Sequence, residues 1–76
     1  MTPMEQKASV RAWLEGLTQE PPRGVAEAKQ FLELAADLFD EEHLDGEQYA
    51  AVYDVGRALQ SPGLAGLAHR ALKIIG

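Results

Sequence analysis

The sequence predicts an all-α fold, a small bundle of four short helices with a central antiparallel helical hairpin. In four segments the apolar residues recur at i, i+3, i+4 and i+7, which is the spacing of one helix face. Proline, glycine or a capping side chain separates each segment from the next. The chain has 76 residues, of which 46% are hydrophobic and 25% charged, as in an ordinary globular domain. We therefore expect residues 1–76 to form a single helical domain, too small for a deep pocket.

Helix one is predicted to begin at Thr2, which can cap it, with Pro3 in the first helical position and Glu5 completing a capping box. We expect Gly16 and a Pro/Gly-rich linker over residues 18–24 to end it. Its apolar face carries the only tryptophan, which we expect in the core because an indole has much area to hide. The residues of this face are Val10, Trp13, Leu14 and Leu17.

Helix two is predicted to start between Pro22 and Val25, where Gly24 with Glu27 makes one cap and Pro22 offers an alternative first position. Acidic side chains crowd its C-terminal end, where the helix dipole favours cations and each exposed mismatch costs about 0.3–1 kcal/mol. Local stability therefore does not explain these acids. The apolar stripe of this helix comprises Val25, Ala28, Phe31, Leu32, Ala35, Leu38 and Phe39.

Residues of the turn between helices two and three can fix the start of helix three. Asp45 can cap helix three with Gln48 in the capping-box position, and Leu44 can staple onto Tyr49. With Leu-x-x-Ala-x-x-Leu before the turn and Leu-Asp-Gly-Glu-Gln-Tyr after it, the hairpin resembles the short helical SHOCT motif found at the ends of many bacterial proteins. Two acids and His43 stand where that motif prefers a glycine. The resemblance covers this hairpin alone and implies a helical hairpin there.

Six of the twelve acidic residues fall in this turn and in the helix ends beside it. Asp45 and Glu47 suit the first turn of helix three because the helix dipole stabilises anions there. The other acids have no such local role, and two interpretations remain open. They form either a solvated helix end that keeps the protein soluble or a docking patch for Lys or Arg on a partner. The predicted patch consists of Asp37, Asp40, Glu41, Glu42, Asp45 and Glu47.

Helix three has an inner face that includes Gly56, which would let a neighbouring helix approach closely. That predicted face consists of Tyr49, Val52, Tyr53, Gly56 and Leu59. Ser61 is expected to cap helix four, with Pro62 as its first residue and Arg70 and Lys73 near its C-terminus, where the dipole favours cations. The main apolar face of helix four consists of Leu64, Leu67, Ala68, Ala71, Leu72 and Ile75.

Apolar residues cover helix four nearly all round, because Ala65, Gly66 and Ile74 extend its main face. Such a helix is either central in the bundle or shared with a partner. If it is shared, we expect a homodimer or a partner interface. The candidate interface residues are Leu64, Leu67, Ile74 and Ile75.

The sequence offers no chemistry that would make an enzyme. A calcium loop centred on Gly46 fails because Val52 would occupy the position that needs a bidentate glutamate. His43 has carboxylates nearby, but His69 is distant and no HExxH motif exists, so we expect no zinc site. The adjacent carboxylates Glu41 and Glu42 lack a cleft that would shift their proton affinities for acid-base work. We expect no cofactor, no metal and no catalytic residue.

The net charge of −5 and a pI near 4.8 oppose binding to nucleic acid or to anionic lipid. No apolar run approaches the roughly 18–20 residues that span a bilayer, there is no cysteine, and no signal-peptide pattern is present. We expect a cytoplasmic protein with a partner whose surface is basic.

By elimination, the first hypothesis is an acidic, non-enzymatic module that occupies a basic, nucleic-acid-binding surface of a protein and inhibits or regulates it. Small size, acidity and absence of chemistry are similar to what phage-encoded inhibitors of host defence, including anti-CRISPR proteins, often show. The second hypothesis is a structural or regulatory adaptor that homodimerises through helix four. A helix-turn-helix transcription regulator comes third, because the acids around the turns oppose DNA binding.

Overall fold

Four α-helices arranged in a ring form the bundle. The computed structural model describes residues 2–19 and 25–76. Its helices are α1 (Pro3–Gln19), α2 (Val25–Asp40), α3 (Gly46–Arg57) and α4 (Leu64–Ile75), and the described residues contain no β-strand. The predicted all-α fold is confirmed, with α2 and α3 as its helical hairpin.

Each helix packs against two others. Helix α1 lies next to α2 and α4, and α3 lies next to the same two helices, whereas in the described residues α1 is not a direct neighbour of α3, nor α2 of α4. Neighbouring helices run antiparallel: Trp13 in the second half of α1 stacks on Phe31 in the first half of α2, with ring centroids 5.2 Å apart. Likewise, Phe39 near the end of α2 stacks on Tyr49 near the start of α3. Helix α4 is therefore one side of the ring, which does not support the interpretation that it is central in the bundle.

The core between the helices is entirely apolar among the residues described, with no buried polar or charged side chain. The predicted face of α1 is confirmed, and Trp13 is only 8% exposed. Burial of these side chains supplies the main favourable term in folding, at about 25 cal/mol per Å² of apolar surface. The buried residues are Val10, Trp13, Leu14, Leu17, Ala28, Ala35, Leu38, Leu44, Ala51, Val52, Val55, Leu64, Ala68, Ala71 and Ile75.

Helix α1 begins as predicted and ends later than predicted. The Oγ1 atom of Thr2 accepts a hydrogen bond from the backbone N–H of Glu5 at 3.2 Å, which satisfies one of the free donors of the first turn. The helix runs through Gly16 to Gln19, so Gly16 does not end it. Burial of Leu17 continues the helix past the glycine, because tertiary packing outweighs a propensity deficit of about 1 kcal/mol. Most of the predicted linker, residues 20–24 with the alternative starts of helix two, lies outside the described residues.

The inward face of helix α3 matches the predicted one in part: Val52 is buried and Tyr49 packs against the core, but Tyr53 does not. Ala51 and Val55 are buried beside Val52, whereas Tyr53 is 45% exposed. The helix ends at Arg57, so the half-buried Leu59 follows it rather than belonging to it. The two smaller aliphatic side chains fill the interior, and the tyrosines lie at its edge, where the phenol hydroxyls need no buried partner.

At Gly56 the side chain of Leu32 from α2 packs directly on α3, which agrees with the predicted close approach at this position. A Cβ atom at this position would lie 2.6 Å from Cδ1 of Leu32, well inside van der Waals contact. Leu32 occupies the space above the glycine. Because Leu32 is only half-buried, this contact lies at the margin of the core.

Helix α4 begins at Leu64, two residues after the predicted start, and Ser61 does not cap it. Its N-cap is Gly63, which provides no side-chain hydrogen bond. The Oγ atom of Ser61 instead accepts from the N–H of Gly63 at 3.2 Å, within the turn that precedes the helix. No helix of the described residues has both the length and the apolar content to cross a membrane.

Candidate functional site

The C-terminal end of α2 closes with a Schellman motif. The N–H of His43 donates to the carbonyl of Leu38 at 2.8 Å, and the N–H of Glu42 donates to the carbonyl of Phe39 at 3.1 Å. This pair of bonds is the signature of the motif and satisfies carbonyl groups that the helix end would leave free.

Glu42 occupies the position in this motif that normally belongs to glycine. Its φ is 64°, and it is the one non-glycine residue with positive φ in the described parts of the chain. In this left-handed region the Cβ atom approaches the following carbonyl oxygen, at a cost of roughly 1–2 kcal/mol for an L-residue. At the position where a glycine would be usual, Glu42 therefore holds a strained backbone conformation.

The start of α3 is fixed by the predicted capping box, which is confirmed. The N–H of Gln48 donates to Oδ1 of Asp45 at 2.8 Å, and the N–H of Asp45 donates to Oε1 of Gln48 at 2.9 Å. Gln48 also uses Nε2 to donate to the carbonyl of Ile74 at 3.3 Å, at the far end of α4. Leu44 is buried beneath the turn. The turn is thus anchored to both α3 and α4.

The acidic corner, by which we mean Asp37, Asp40, Glu41, Glu42, Asp45 and Glu47, is exposed at all six positions. The sequence has no lysine or arginine between Lys29 and Arg57, so no cation of the hairpin lies in or beside this turn. Within the described residues the only ion contact runs from Oε2 of Glu41 to Nε2 of His43, at 3.9 Å, and it depends on protonation of the imidazole. No lysine or arginine of the described residues therefore forms an ion pair with the corner, and its carboxylates are exposed to solvent.

Three aromatic side chains lie beside the acidic corner. Phe39 and Tyr49 stack with ring centroids 5.0 Å apart and planes 14° apart, and Tyr53 lies 6.1 Å from Tyr49 at a tilt of 49°. Phe39 is 40% exposed, and Tyr53 is exposed as well. We call these three residues the aromatic ladder. Both exposed members were predicted to face the core, and those two predictions are wrong.

An open depression lies between Phe39 and the acidic corner, and neither Tyr49 nor Tyr53 lines it. The structure brings three of the predicted acids to it, and the other three lie outside it. Its lining residues are Phe39, Asp40, Glu42, Leu44 and Asp45. Phe39 and Leu44 form its apolar lining, and the three carboxylates form its charged lining. No group of three or more His, Asp or Glu side chains in residues 2–19 and 25–76 is arranged to hold a metal ion.

Helix α4 offers less surface to a partner than the sequence predicts. Leu64 is 6% exposed and Ile75 is 3% exposed, so both already belong to the core of the bundle. Of the four candidate interface residues, Leu67 and Ile74 alone are half-exposed. An interface through α4 would have to rest on these two and their small neighbours.

The chain matches no protein-family model, no curated protein and no solved structure.

Proposed function

We propose that this protein is a small, non-enzymatic binding module whose acidic corner docks on a basic surface of a protein partner. The observation that carries the proposal is the concentration of six exposed carboxylates in one turn and the helix ends beside it, with a weak contact between Glu41 and His43 as their only ion contact among the described residues. Such a surface speeds encounter with a positively charged partner and penalises acidic ones.

The partner surface that fits best is one that binds nucleic acid. Lysines and arginines that neutralise phosphates are the main source of such affinity, and a cluster of carboxylates competes for the same side chains. By occupying them, the module would inhibit or regulate the partner without touching nucleic acid. By analogy of class, this is how a phage-encoded inhibitor of host defence, such as an anti-CRISPR protein, would act.

Local energetics support a role in recognition rather than in folding. Asp37 and Asp40 lie in the last turn of α2, which contains no basic residue to complement the dipole. Glu42 adds a strained backbone conformation. Residues that weaken the local structure and remain exposed are expected where a function depends on them.

The alternative function is an adaptor that homodimerises through α4. It is supported by the half-exposed side chains of Leu67 and Ile74. It has less support than acidic docking because the two other candidate residues are buried, and because a stable interface needs about 800 Å² from each partner. A helix-turn-helix function has least support, since the acidic corner would face DNA phosphates.

The test is capture of a partner with three forms of the protein: wild type, a corner variant and a control variant that removes equal charge elsewhere. The control sites lie at the opposite end of the bundle and are exposed. The corner variant carries Asp40→Asn, Glu41→Gln and Glu42→Gln. The control variant carries Glu15→Gln, Glu27→Gln and Asp54→Asn.

We expect wild type and the control variant to capture the same basic protein, and the corner variant to lose it. Added duplex DNA or RNA should release the captured protein, since nucleic acid competes for the same surface. Equal capture by all three forms would refute docking through the corner. A monomeric wild type in sedimentation at high concentration would remove the adaptor alternative.

A further inference from the structure

We infer that the depression between Phe39 and the acidic corner is a seat for one arginine side chain of the basic partner. The inference rests on the proposed function and specifies the residue that the partner contributes. It follows from the exposed aromatic ring at this position together with the charge of the rim.

The exposed ring of Phe39 favours a flat cation. Phe39 is 40% exposed although it stacks on Tyr49, so ring surface is left uncovered at the depression. A guanidinium group lies flat on such a ring and is attracted by its π-electrons. The stack on Tyr49 holds the phenyl ring in place, so little freedom is lost when a guanidinium covers it.

The rim supplies the counter-charge. Asp40, Glu42 and Asp45 line the depression around Phe39, and all three are exposed. The capping box fixes Asp45 through two hydrogen bonds, and the Schellman motif fixes the backbone of Glu42. Two parallel N–H donors of a guanidinium can meet one carboxylate, whereas a lysine ammonium acts as a point charge and stacks less well.

The lining disfavours other occupants. Leu44 is only 3% exposed, so Phe39 supplies nearly all of the accessible apolar surface, which suits an alkyl stem and not the apolar face of a helix. An acidic peptide or a phosphate would be repelled by the rim. A long aliphatic stem that ends in a planar cation matches both parts of the lining.

The test uses blocked peptides of glycine-spaced arginines, the same peptide with lysines, and the same peptide with citrullines, which keep the shape and lose the charge. Binding at low salt is followed by backbone amide NMR shifts. We expect the arginine peptide to bind wild type about two- to fivefold more tightly than the lysine peptide. The largest shifts should fall at Phe39, Asp40, Glu42 and Asp45, and the citrulline peptide should not bind.

Phe39→Leu removes the aromatic face and keeps an apolar side chain, so it should abolish the preference for arginine and lower lysine affinity less than arginine affinity. Tyr53→Leu is the matched control. It removes an exposed aromatic residue that does not line the depression, and it should leave the arginine preference intact. Circular dichroism verifies that both variants keep the helical fold.

The outcomes separate the inference from the proposed function. Equal affinity for arginine and lysine peptides, with no effect of Phe39→Leu, would overturn the arginine seat and leave acidic docking in place. Failure of wild type to bind either cationic peptide at low salt would overturn both. Shifts centred on α4 would do the same, since they would place the binding surface elsewhere.

Discussion

The backbone N–H of His43 donates to the carbonyl of Leu38 at 2.8 Å and closes the end of α2, while Glu42 between them holds a φ of 64°. Glycine takes this conformation freely and glutamate does not. The turn that carries the acidic corner is therefore built with a residue that its geometry disfavours.

The first prediction concerns this strain. Glu42→Gly should raise the free energy of unfolding by about 1 kcal/mol relative to Glu42→Ala, because both remove the carboxylate and only glycine relieves the left-handed conformation. Urea unfolding followed by circular dichroism measures the difference. Glu41 has no positive φ, so Glu41→Gly should give no gain over Glu41→Ala. Equal stability of the two variants at position 42 would show that the turn is unstrained.

The second prediction contrasts two helical glycines. Gly16 is exposed and a Cβ there would meet nothing within 4 Å, so Gly16→Ala should stabilise the protein by about 0.5–1 kcal/mol. Gly56→Ala should not give this gain, because the new Cβ would force Leu32 to move.

A double-mutant cycle tests the cause at Gly56. In the Leu32→Ala background, Gly56→Ala should become stabilising, with a coupling energy on the order of 1 kcal/mol. Thermal and urea unfolding of the four proteins give this value. If the stability effects of the two substitutions are additive, Leu32 does not clash with a side chain at position 56.

The third prediction concerns Gln48, which joins the turn to α4. Gln48→Glu keeps an oxygen that accepts from the N–H of Asp45, and an acid suits the first turn of a helix. The variant nevertheless loses the N–H donor that bonds to the carbonyl oxygen of Ile74. In its place a negatively charged carboxylate oxygen would face that carbonyl oxygen and repel it. We expect a loss of about 1–2 kcal/mol of stability. Glu47→Gln, an exposed neighbour, should change stability by less than about 0.5 kcal/mol. If Gln48→Glu is as stable as wild type, the hydrogen bond to α4 contributes nothing to the free energy of unfolding.

Local signals in the sequence were sufficient to predict the four helices and the first residues of two of them. Thr2 and Asp45 accept hydrogen bonds from N–H groups three residues ahead, and such short-range bonds depend on few neighbours. The end of α1 could not be read in the same way, because the packing of Leu17 against the core carries the helix beyond Gly16.

The acidic half of the candidate site was visible in the sequence, and the aromatic half was not. Phe39 and Tyr53 fit the helical period of a buried face, yet both are exposed, and α3 buries Ala51 and Val55 beside Val52 where Tyr53 was expected. The strain at Glu42 was also hidden, since glycine is the usual sign of a left-handed helix end.

The central claim is that the acidic corner serves recognition and not folding. The most direct measurement is the association rate of the captured partner with wild type, the corner variant and the control variant, at low and high salt. We expect the corner variant to associate about tenfold more slowly at low salt, with a flatter salt dependence and unchanged or slightly higher stability. Lysine in place of the same three acids should slow association further, while the control variant stays close to wild type. Equal association rates at low salt for wild type and the corner variant would contradict the claim and leave the corner as a solvated surface.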